Sequence, residues 1–86
     1  MQMSHGNELF ETVAVENRTE GWSAIDLFST EDCKRICVVR ITFWDAMGDF
    51  TVETFGGIVP LSILEKAINE ARASVELPHP RQPRGR

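Results

Sequence analysis

Alternation of apolar and polar positions predicts strands through the middle of the chain. Residues 36–44, ICVVRITFW, are rich in β-branched and aromatic side chains, and residues 49–55, DFTVETF, follow after a short interval. Both compositions are typical of strands. Residues 8–16 have a similar pattern interrupted by Glu11 and are also predicted to form a strand. Residues 22–28 alternate as a strand would, although a short helix is an alternative.

The stretch FWDAMGDF connects the two clearest strands, and side-chain pairing predicts its structure. With residues 45–48 as the loop, apolar side chains segregate to one face of the hairpin. The predicted partners are Phe43 with Phe50, Ile41 with Val52, Val39 with Thr54, Arg40 with Glu53, and Thr42 with Thr51. A loop one residue shorter would mix the two faces, and burial of one face specifies register strongly. The stretch is therefore predicted to be a turn, with Gly48 at a positive φ, rather than a cation or phosphate site.

Helical periodicity begins after this hairpin and predicts one helix over residues 60–76. The apolar positions recur at intervals of three and four: Leu61, Leu64, Ile68, Ala71 and Val75. Pro60 suits a first helical turn, although a capping box of Ser62 and Glu65 would start the helix two residues later. Leu64 and Ile68 occupy the centre of the stripe and are expected to be the most buried helical residues.

These elements predict an α+β fold, an antiparallel sheet of three or four strands with one C-terminal amphipathic helix packed on one face. The 86 residues fit a single domain, 1–86, with an ordered core of about residues 8–77. The polar N-terminal segment and the basic, proline-spaced residues 78–86 are predicted to be disordered tails. Residues 29–35 are expected to form a polar loop or one capped helical turn.

Strand parity predicts which residues the helix covers. The inward set is Ile25, Leu27, Val39, Ile41, Phe43, Phe50 and Val52, and Cys37 shares its parity. The opposite side then carries a candidate interface or ligand surface, which comprises Trp22, Phe28, Val38, Arg40, Trp44, Glu53 and Phe55. One helix cannot cover both faces of a sheet, and several aromatic residues on one face suggest an interface. The alternatives are that N-terminal residues fold over this face or that the parity assignment is wrong.

Candidate chemistry is sparse. The two histidines, His5 and His79, lie in the predicted tails, and the Cys33–Cys37 spacing lacks the second pair that defines a zinc motif. Cys37 is expected to be a buried thiol and Cys33 an exposed one, beside Lys34 and Arg35. Phosphate-binding loops and nucleophile motifs are absent from the sequence. We therefore predict no catalytic residues, no metal site and no cofactor.

Charge and composition limit the classes of partner that this protein is expected to bind. The net charge of −4 disfavours general affinity for nucleic acid or anionic membranes. No apolar run approaches the roughly 20 residues that cross a bilayer, and no secretory leader is recognisable, so a cytoplasmic location is expected.

The segment FWDAMGDFTVETFGGIVPLSILEKAINEA, residues 43–71, resembles small uncharacterised bacterial proteins encoded by mobile integron gene cassettes. The resemblance rests on the order strand, turn, strand and helix over about a third of the chain. It implies a bacterial accessory protein and carries no functional residue across.

Three functional classes follow. The first is a non-enzymatic interaction protein that forms a homo-oligomer, most simply a dimer, through its aromatic face. The second is a small-ligand binder or enzyme with a cleft between protomers, bordered by Trp44, Arg40 and Glu53. The third and least favoured is a nucleic-acid accessory protein that uses the tail arginines Arg81, Arg84 and Arg86.

Overall fold

A single sheet and one helix form the structure, a computed structural model that describes residues 1–76. The elements are β1 (Gln2–His5), β2 (Glu8–Asn17), β3 (Trp22–Glu31), β4 (Lys34–Trp44), β5 (Asp49–Thr54) and α1 (Leu61–Glu76). The strands pair antiparallel in chain order, and α1 packs across β3 and β4. The α+β prediction is confirmed, but the sheet has five strands rather than three or four. The basic residues 78–86, predicted to be disordered, lie outside the described part of the chain.

The additional strand is β1, in a segment for which the sequence pattern predicts no regular structure. It pairs with β2 so that Met3 lies opposite Phe10, and Gly6 turns the chain between them at φ 63°. The Thr12 amide donates a hydrogen bond to the Met1 carbonyl at 3.0 Å. Met3 is the one apolar residue of β1 and packs against the core. A strand with a single inward apolar residue has no detectable alternation, which is why the pattern missed it.

The connection between β3 and β4 is a two-residue turn rather than the predicted polar loop. Asp32 and Cys33 have φ values of 52° and 66°. Two successive positive φ values define the type I′ turn that joins right-twisted strands. The polar residues on either side of this turn, Glu31 and Lys34, are paired with each other at the ends of the strands.

A bulge in β4 reverses the alternation that sequence parity assumes. Leu27 lies opposite Val39, yet the next residue, Phe28, lies opposite Cys37, so that Val38 is extra. An extra residue of this kind shifts the alternation of the strand, so that the residues before it lie on the face opposite to the one that their parity predicts. Val38 is therefore buried in the core, and its assignment to the outward face is wrong. Cys37 faces away from the helix, which corrects the prediction that it shares the face of Val39.

The β4–β5 hairpin has the predicted register. Every predicted partner pair from Val39 with Thr54 to Phe43 with Phe50 is present, and the loop is the four residues 45–48. The Phe43 and Phe50 rings lie 5.1 Å apart between centroids. Gly48 has φ 64°, as the turn requires of a glycine. The predicted turn at FWDAMGDF is confirmed.

The core lies between α1 and the sheet. Its largest fully buried side chains are Phe10, Leu27 and Val39. The helix contributes three buried residues, which are Ile63, Ala67 and Ala71, whereas Leu64 and Ile68 are half-buried. The expectation that Leu64 and Ile68 are the most buried helical residues is therefore wrong. Two alanines bring the helix backbone close to the sheet and leave the longer side chains along one flank.

The molecule is thin. Its smallest extent is 16 Å, which matches one sheet and one helix because packed layers are spaced about 10 Å apart. Residues 1–76 therefore leave one side of the sheet without a covering layer.

Candidate functional site

The uncovered side of the sheet, called here the outer face, carries the residues opposite to those that contact α1. Strand pairing arranges them in rows across the strands. The rows are Asn17, Trp22, Trp44 and Asp49; Val15, Ala24, Thr42 and Thr51; Val13, Asp26, Arg40 and Glu53; Glu11, Phe28 and Cys37; and Leu9, Thr30 and Arg35.

Two tryptophans lie together at one end of the outer face. Trp22 and Trp44 are direct cross-strand partners, with ring centroids 6.4 Å apart and planes tilted by 54°. Trp22 Nε1 donates to Glu20 Oε1 at 3.1 Å, and Trp44 Nε1 donates to Thr51 Oγ1 at 2.8 Å. Because each indole N–H has an acceptor, both rings are held in one orientation.

An ion pair lies at the centre of the outer face. Arg40 donates from Nε to Asp26 Oδ1 at 2.6 Å and from Nη2 to Asp26 Oδ2 at 2.8 Å. Asp26 is only 5% exposed, although no layer formed by residues 1–76 covers this face. The Arg40 guanidinium lies 5.5 Å from the centroid of the Trp22 ring. The hydrogen bond to Asp26 raises the pKa of Arg40 above its ordinary value, and burial opposes this shift.

The hairpin register predicts Arg40 opposite Glu53, and the structure adds Asp26 of β3 on the other side of Arg40. The Asp26 carboxylate is shielded from solvent between Val13 and Arg40 in the register. Glu53 is the register partner of Arg40 on the other side and is exposed. The central row thus presents the sequence acid, base, acid across three strands.

A second cation–aromatic group lies toward the other end of the outer face. The Arg35 guanidinium is 3.9 Å from the centroid of the Phe28 ring, and its Nε donates to Glu11 Oε1 at 3.0 Å. Cys37 lies beside Phe28 in the register. Burial, and then the negative charge of Asp26, raise the pKa of the Cys37 thiol. Cys37 is consequently a poor nucleophile at neutral pH.

The most exposed apolar side chains of the outer face are on β2, and the sequence-based site omitted them. Leu9 is 43% exposed and Val13 is 37% exposed, with Val15 half-buried beside them. Their shared parity was visible in the sequence. The missing signal was that Phe10, of opposite parity, is the residue of β2 that enters the core.

The structure therefore brings together most of the predicted surface. Trp22, Phe28, Arg40, Trp44 and Glu53 share the outer face. Val38 does not belong to it. Phe55 follows the end of β5, is half-exposed, and its amide donates to the Val38 carbonyl at 3.0 Å.

Two shallow clefts lie elsewhere. One, of about 440 Å³, lies at the C-terminal end of α1 and is lined by residues that include Trp22, Phe43, Ser74 and Val75. The other, of about 620 Å³, lies beside the bulge and is lined by Ser29, Ile36, Val38 and Ile58 among others. Trp44, Arg40 and Glu53 line neither cleft.

Residues 1–76 contain neither a cluster of metal-ligating side chains nor a helix that could span a membrane. In this range no three His, Cys, Asp or Glu side chains converge as a metal site would require. The one helix of this range lacks the length and apolar character needed to span a bilayer.

Comparison with protein-family models, curated proteins and solved structures gives no match for this chain.

Proposed function

We propose that this protein is a non-enzymatic interaction protein of accessory role, which associates with further copies of itself through the outer face. One observation carries the proposal: an ordered aromatic surface, centred on Trp22 and Trp44, lies on a sheet face that no part of residues 1–76 covers. Leu9 and Val13 extend the exposed apolar area on the neighbouring strand.

The residue types support an interface. Tryptophan and arginine are enriched at the energetic centres of protein interfaces, and both occur here in contact with each other. Their hydrogen bonds and stacking hold these side chains in place before a partner arrives. Immobilising a free side chain on binding costs about 0.5–1.5 kcal/mol, so a surface that is already ordered binds with a smaller entropic penalty.

The charges of the outer face are compatible with binding to the same face of a second copy. The outer face carries both signs, with Arg35 and Arg40 among Glu11, Asp26 and Glu53. A two-fold axis in the plane of the contact places each copy's face against its own image, so that acidic and basic groups of the two copies can alternate. A strongly single-signed face would repel its own image.

The available area also fits. Strand spacing and rise give roughly 500 Å² for the outer face of β2 to β5, hence roughly 1,000 Å² for a pair. That is the lower limit for a specific interface. Self-association would relieve the small buried fraction of a domain of this length as well.

A second candidate function has one specific observation in its favour. Asp26 uses the Nε and Nη2 groups of Arg40, and in residues 1–76 the Nη1 group has no protein acceptor. A small ligand with a carboxylate could bind there, stacked against Trp22, in a cleft completed by a second protomer. This candidate depends on the same association of copies.

The test of the proposal is the mass of the assembly by light scattering across the micromolar range. Trp44→Glu places an unpaired charge at the proposed contact and is expected to reduce the number of associated copies. Met47→Glu is the matched control, because Met47 is 64% exposed in the β4–β5 loop, away from the outer face. The control is expected to keep the parental mass.

Circular dichroism on both variants establishes that each is folded. A folded Trp44→Glu variant with the parental mass would reject the outer face as the contact. A parent that is monomeric throughout the range would reject self-association itself.

A further inference from the structure

The edge strand β5 has a row of backbone hydrogen-bonding groups that no strand of residues 1–76 uses. The Phe55 amide points toward β4, because it donates to the Val38 carbonyl. Backbone groups in an antiparallel strand alternate between its two sides. It follows that the N–H and C=O groups of Phe50, Val52 and Thr54 point away from β4, where residues 1–76 provide no further strand. The Phe50 N–H donates to its neighbour Asp49 Oδ1 at 2.8 Å.

The edge of β5 has few of the usual protecting devices. The strand contains neither lysine nor proline, its pairing with β4 has no bulge, and its two charged residues, Asp49 and Glu53, belong to rows of the outer face. Soluble proteins normally protect an open edge with charged side chains, proline, a bulge or a very short strand. The opposite edge, β1, has such protection, since it is four residues long and almost entirely polar. The two edges of the sheet are therefore not equivalent.

The side chains next to the β5 edge are apolar and open. Val52 lies on the helix side of the sheet yet is 53% exposed, because α1 packs on β3 and β4 instead. Glu70 accepts a hydrogen bond from Thr12 of β2 at 2.8 Å, which identifies the helix flank that faces β2. Leu64 and Ile68 lie on the other flank, toward β5, and are half-buried. The helix side of β5 and this flank of α1 therefore both present apolar side chains that are not fully buried.

We propose that β5 pairs antiparallel with β5 of a second copy of this chain, about a two-fold axis at Val52. Val52 would lie opposite its own equivalent, and Phe50 opposite Thr54. Three outward residues per copy would form about six backbone hydrogen bonds across the junction. In two of them the Phe50 N–H exchanges its Asp49 carboxylate acceptor for the Thr54 carbonyl of the other copy. Thr51 would lie opposite Glu53 and Asp49 opposite Phe55, so no acidic residue faces another acidic residue directly. The result is a continuous sheet that spans two copies.

This edge contact is separate from the outer-face contact, and the two are geometrically compatible. The axis of the edge pair is perpendicular to the sheet, whereas a face-to-face pair needs an axis in the plane of the contact. Two perpendicular two-fold axes that intersect generate a closed assembly of four copies. Joining two sheets at their edges also roughly doubles the outer face that can be buried, from the lower limit of a specific interface to a standard one. The four-copy closure rests on the proposed function; the edge pair does not.

The test is a proline substitution that removes one outward N–H. Val52→Pro deletes two hydrogen bonds of the proposed junction, one from each copy, but none of the β4–β5 ladder, and proline is tolerated at such edge positions. Ser4→Pro is the matched control on the other edge. Ser4 lies between residues whose backbones face β2, so its amide also points outward. Light scattering is expected to show a halved mass for folded Val52→Pro and the parental mass for Ser4→Pro.

The outer-face variant separates the two proposals. If Trp44→Glu alone lowers the mass and folded Val52→Pro has the parental mass, the edge pair is wrong and the outer face stands. If Val52→Pro alone lowers the mass, the edge pair stands and the outer face is wrong. A monomeric parent rejects both.

Amide hydrogen exchange on the parent provides a readout that does not depend on Val52→Pro folding. In an edge pair, the amides of Val52 and Thr54 are protected at high protein concentration and lose protection on dilution. The Phe50 amide is left out of this comparison because it donates to Asp49 Oδ1 within one copy. Rapid exchange of the Val52 and Thr54 amides in an associated parent would overturn the proposal, because edge amides without a partner contact water.

Discussion

At the scale of single residues, the outer face is organised by one shielded carboxylate. Asp26 is almost fully buried on the side of the sheet that residues 1–76 leave without a second layer, and it is neutralised by two hydrogen bonds from Arg40. Arginine suits this position because its planar fork matches both carboxylate oxygens. The pair also positions the guanidinium against Trp22. Arg40 therefore connects the buried Asp26 carboxylate to the aromatic ring of Trp22.

Removal of one partner of this pair should destabilise the fold. Arg40→Met leaves the Asp26 carboxylate buried without a counter-charge, and we expect a loss of about 2–3 kcal/mol in the free energy of unfolding. This value lies below the usual figure for a buried pair because Arg40 is partly exposed. Urea denaturation of Arg40→Met, Asp26→Leu and the double variant measures it. The double variant should recover most of the loss, and simple additivity of the two single losses would contradict the argument.

The two thiols should differ in reactivity. Cys33 is exposed in the β3–β4 turn, whereas Cys37 is half-buried and burial raises its pKa above the ordinary 9.0. Because the thiolate is the reacting species, we expect Cys33 to be alkylated much faster than Cys37 at neutral pH. Single-thiol variants, Cys33→Ser and Cys37→Ser, assign the two rates by mass spectrometry.

The same pKa shift has a consequence for stability. A pKa that is higher in the folded state than in the unfolded state contributes stability below pH 9.0, which is lost as the pH rises through the folded value. The parent should therefore lose stability more steeply above pH 9.0 than Cys37→Ala does. Parallel curves for the two proteins would contradict this.

At the scale of elements, α1 packs through its small residues. Ala67 and Ala71 face the sheet together with Ile63, while Leu64 and Ile68 lie along the flank near β5. The sequence stripe contains both sets, since i, i+3 and i+4 positions cover a wide arc of a helix. Periodicity predicts that this arc is apolar. Which residues of the arc face the sheet is decided by the packing of the helix against the side chains of the sheet.

Alanine substitutions should distinguish the two sets. Ile63→Ala creates a cavity between helix and sheet, and we expect it to cost about 2–4 kcal/mol. Leu64→Ala truncates a half-buried side chain and should cost less, about 1–2 kcal/mol, because part of its surface already contacts water. Urea denaturation at one protein concentration compares them. A larger loss for Leu64→Ala would show that the flank, rather than the alanine face, contacts the core.

Among the strands, the sequence predicts the register of the β4–β5 hairpin correctly but does not predict the bulge at Val38 of β4. The hairpin register followed from segregation of side chains, because only one loop length separates apolar from charged partners. The bulge at Val38 inserts a residue without any change of residue type, so the alternation of the sequence does not record it. For that reason Val38 and Cys37 were both assigned to the wrong face.

At the scale of the whole molecule, the fold is two layers and has two open boundaries. One is the outer face and the other is the β5 edge. Both are places where a small domain can bury more surface than its own chain provides. Association through either one would stabilise the folded state by mass action.

The thermal midpoint should therefore depend on protein concentration. We expect Tm to rise with concentration for the parent, since dilution separates the copies that stabilise one another. The variant that combines Trp44→Glu with Val52→Pro should have a Tm independent of concentration. Calorimetry over a hundredfold range of concentration measures both. A parent whose Tm is constant over this range would show that association does not contribute to its stability.

What the sequence alone determined is the local order: three of the strands, the helix, the β4–β5 register and the aromatic residues that share a face. Periodicity encodes these because side-chain direction repeats every two residues in a strand and every 3.6 in a helix. Tertiary structure decided the rest. The bulge reassigned Val38, pairing recruited polar β1 as a fifth strand, and helix placement buried Ala67 and Ala71 while leaving the β5 edge open. These outcomes depend on how the elements fit against one another, which no local period contains.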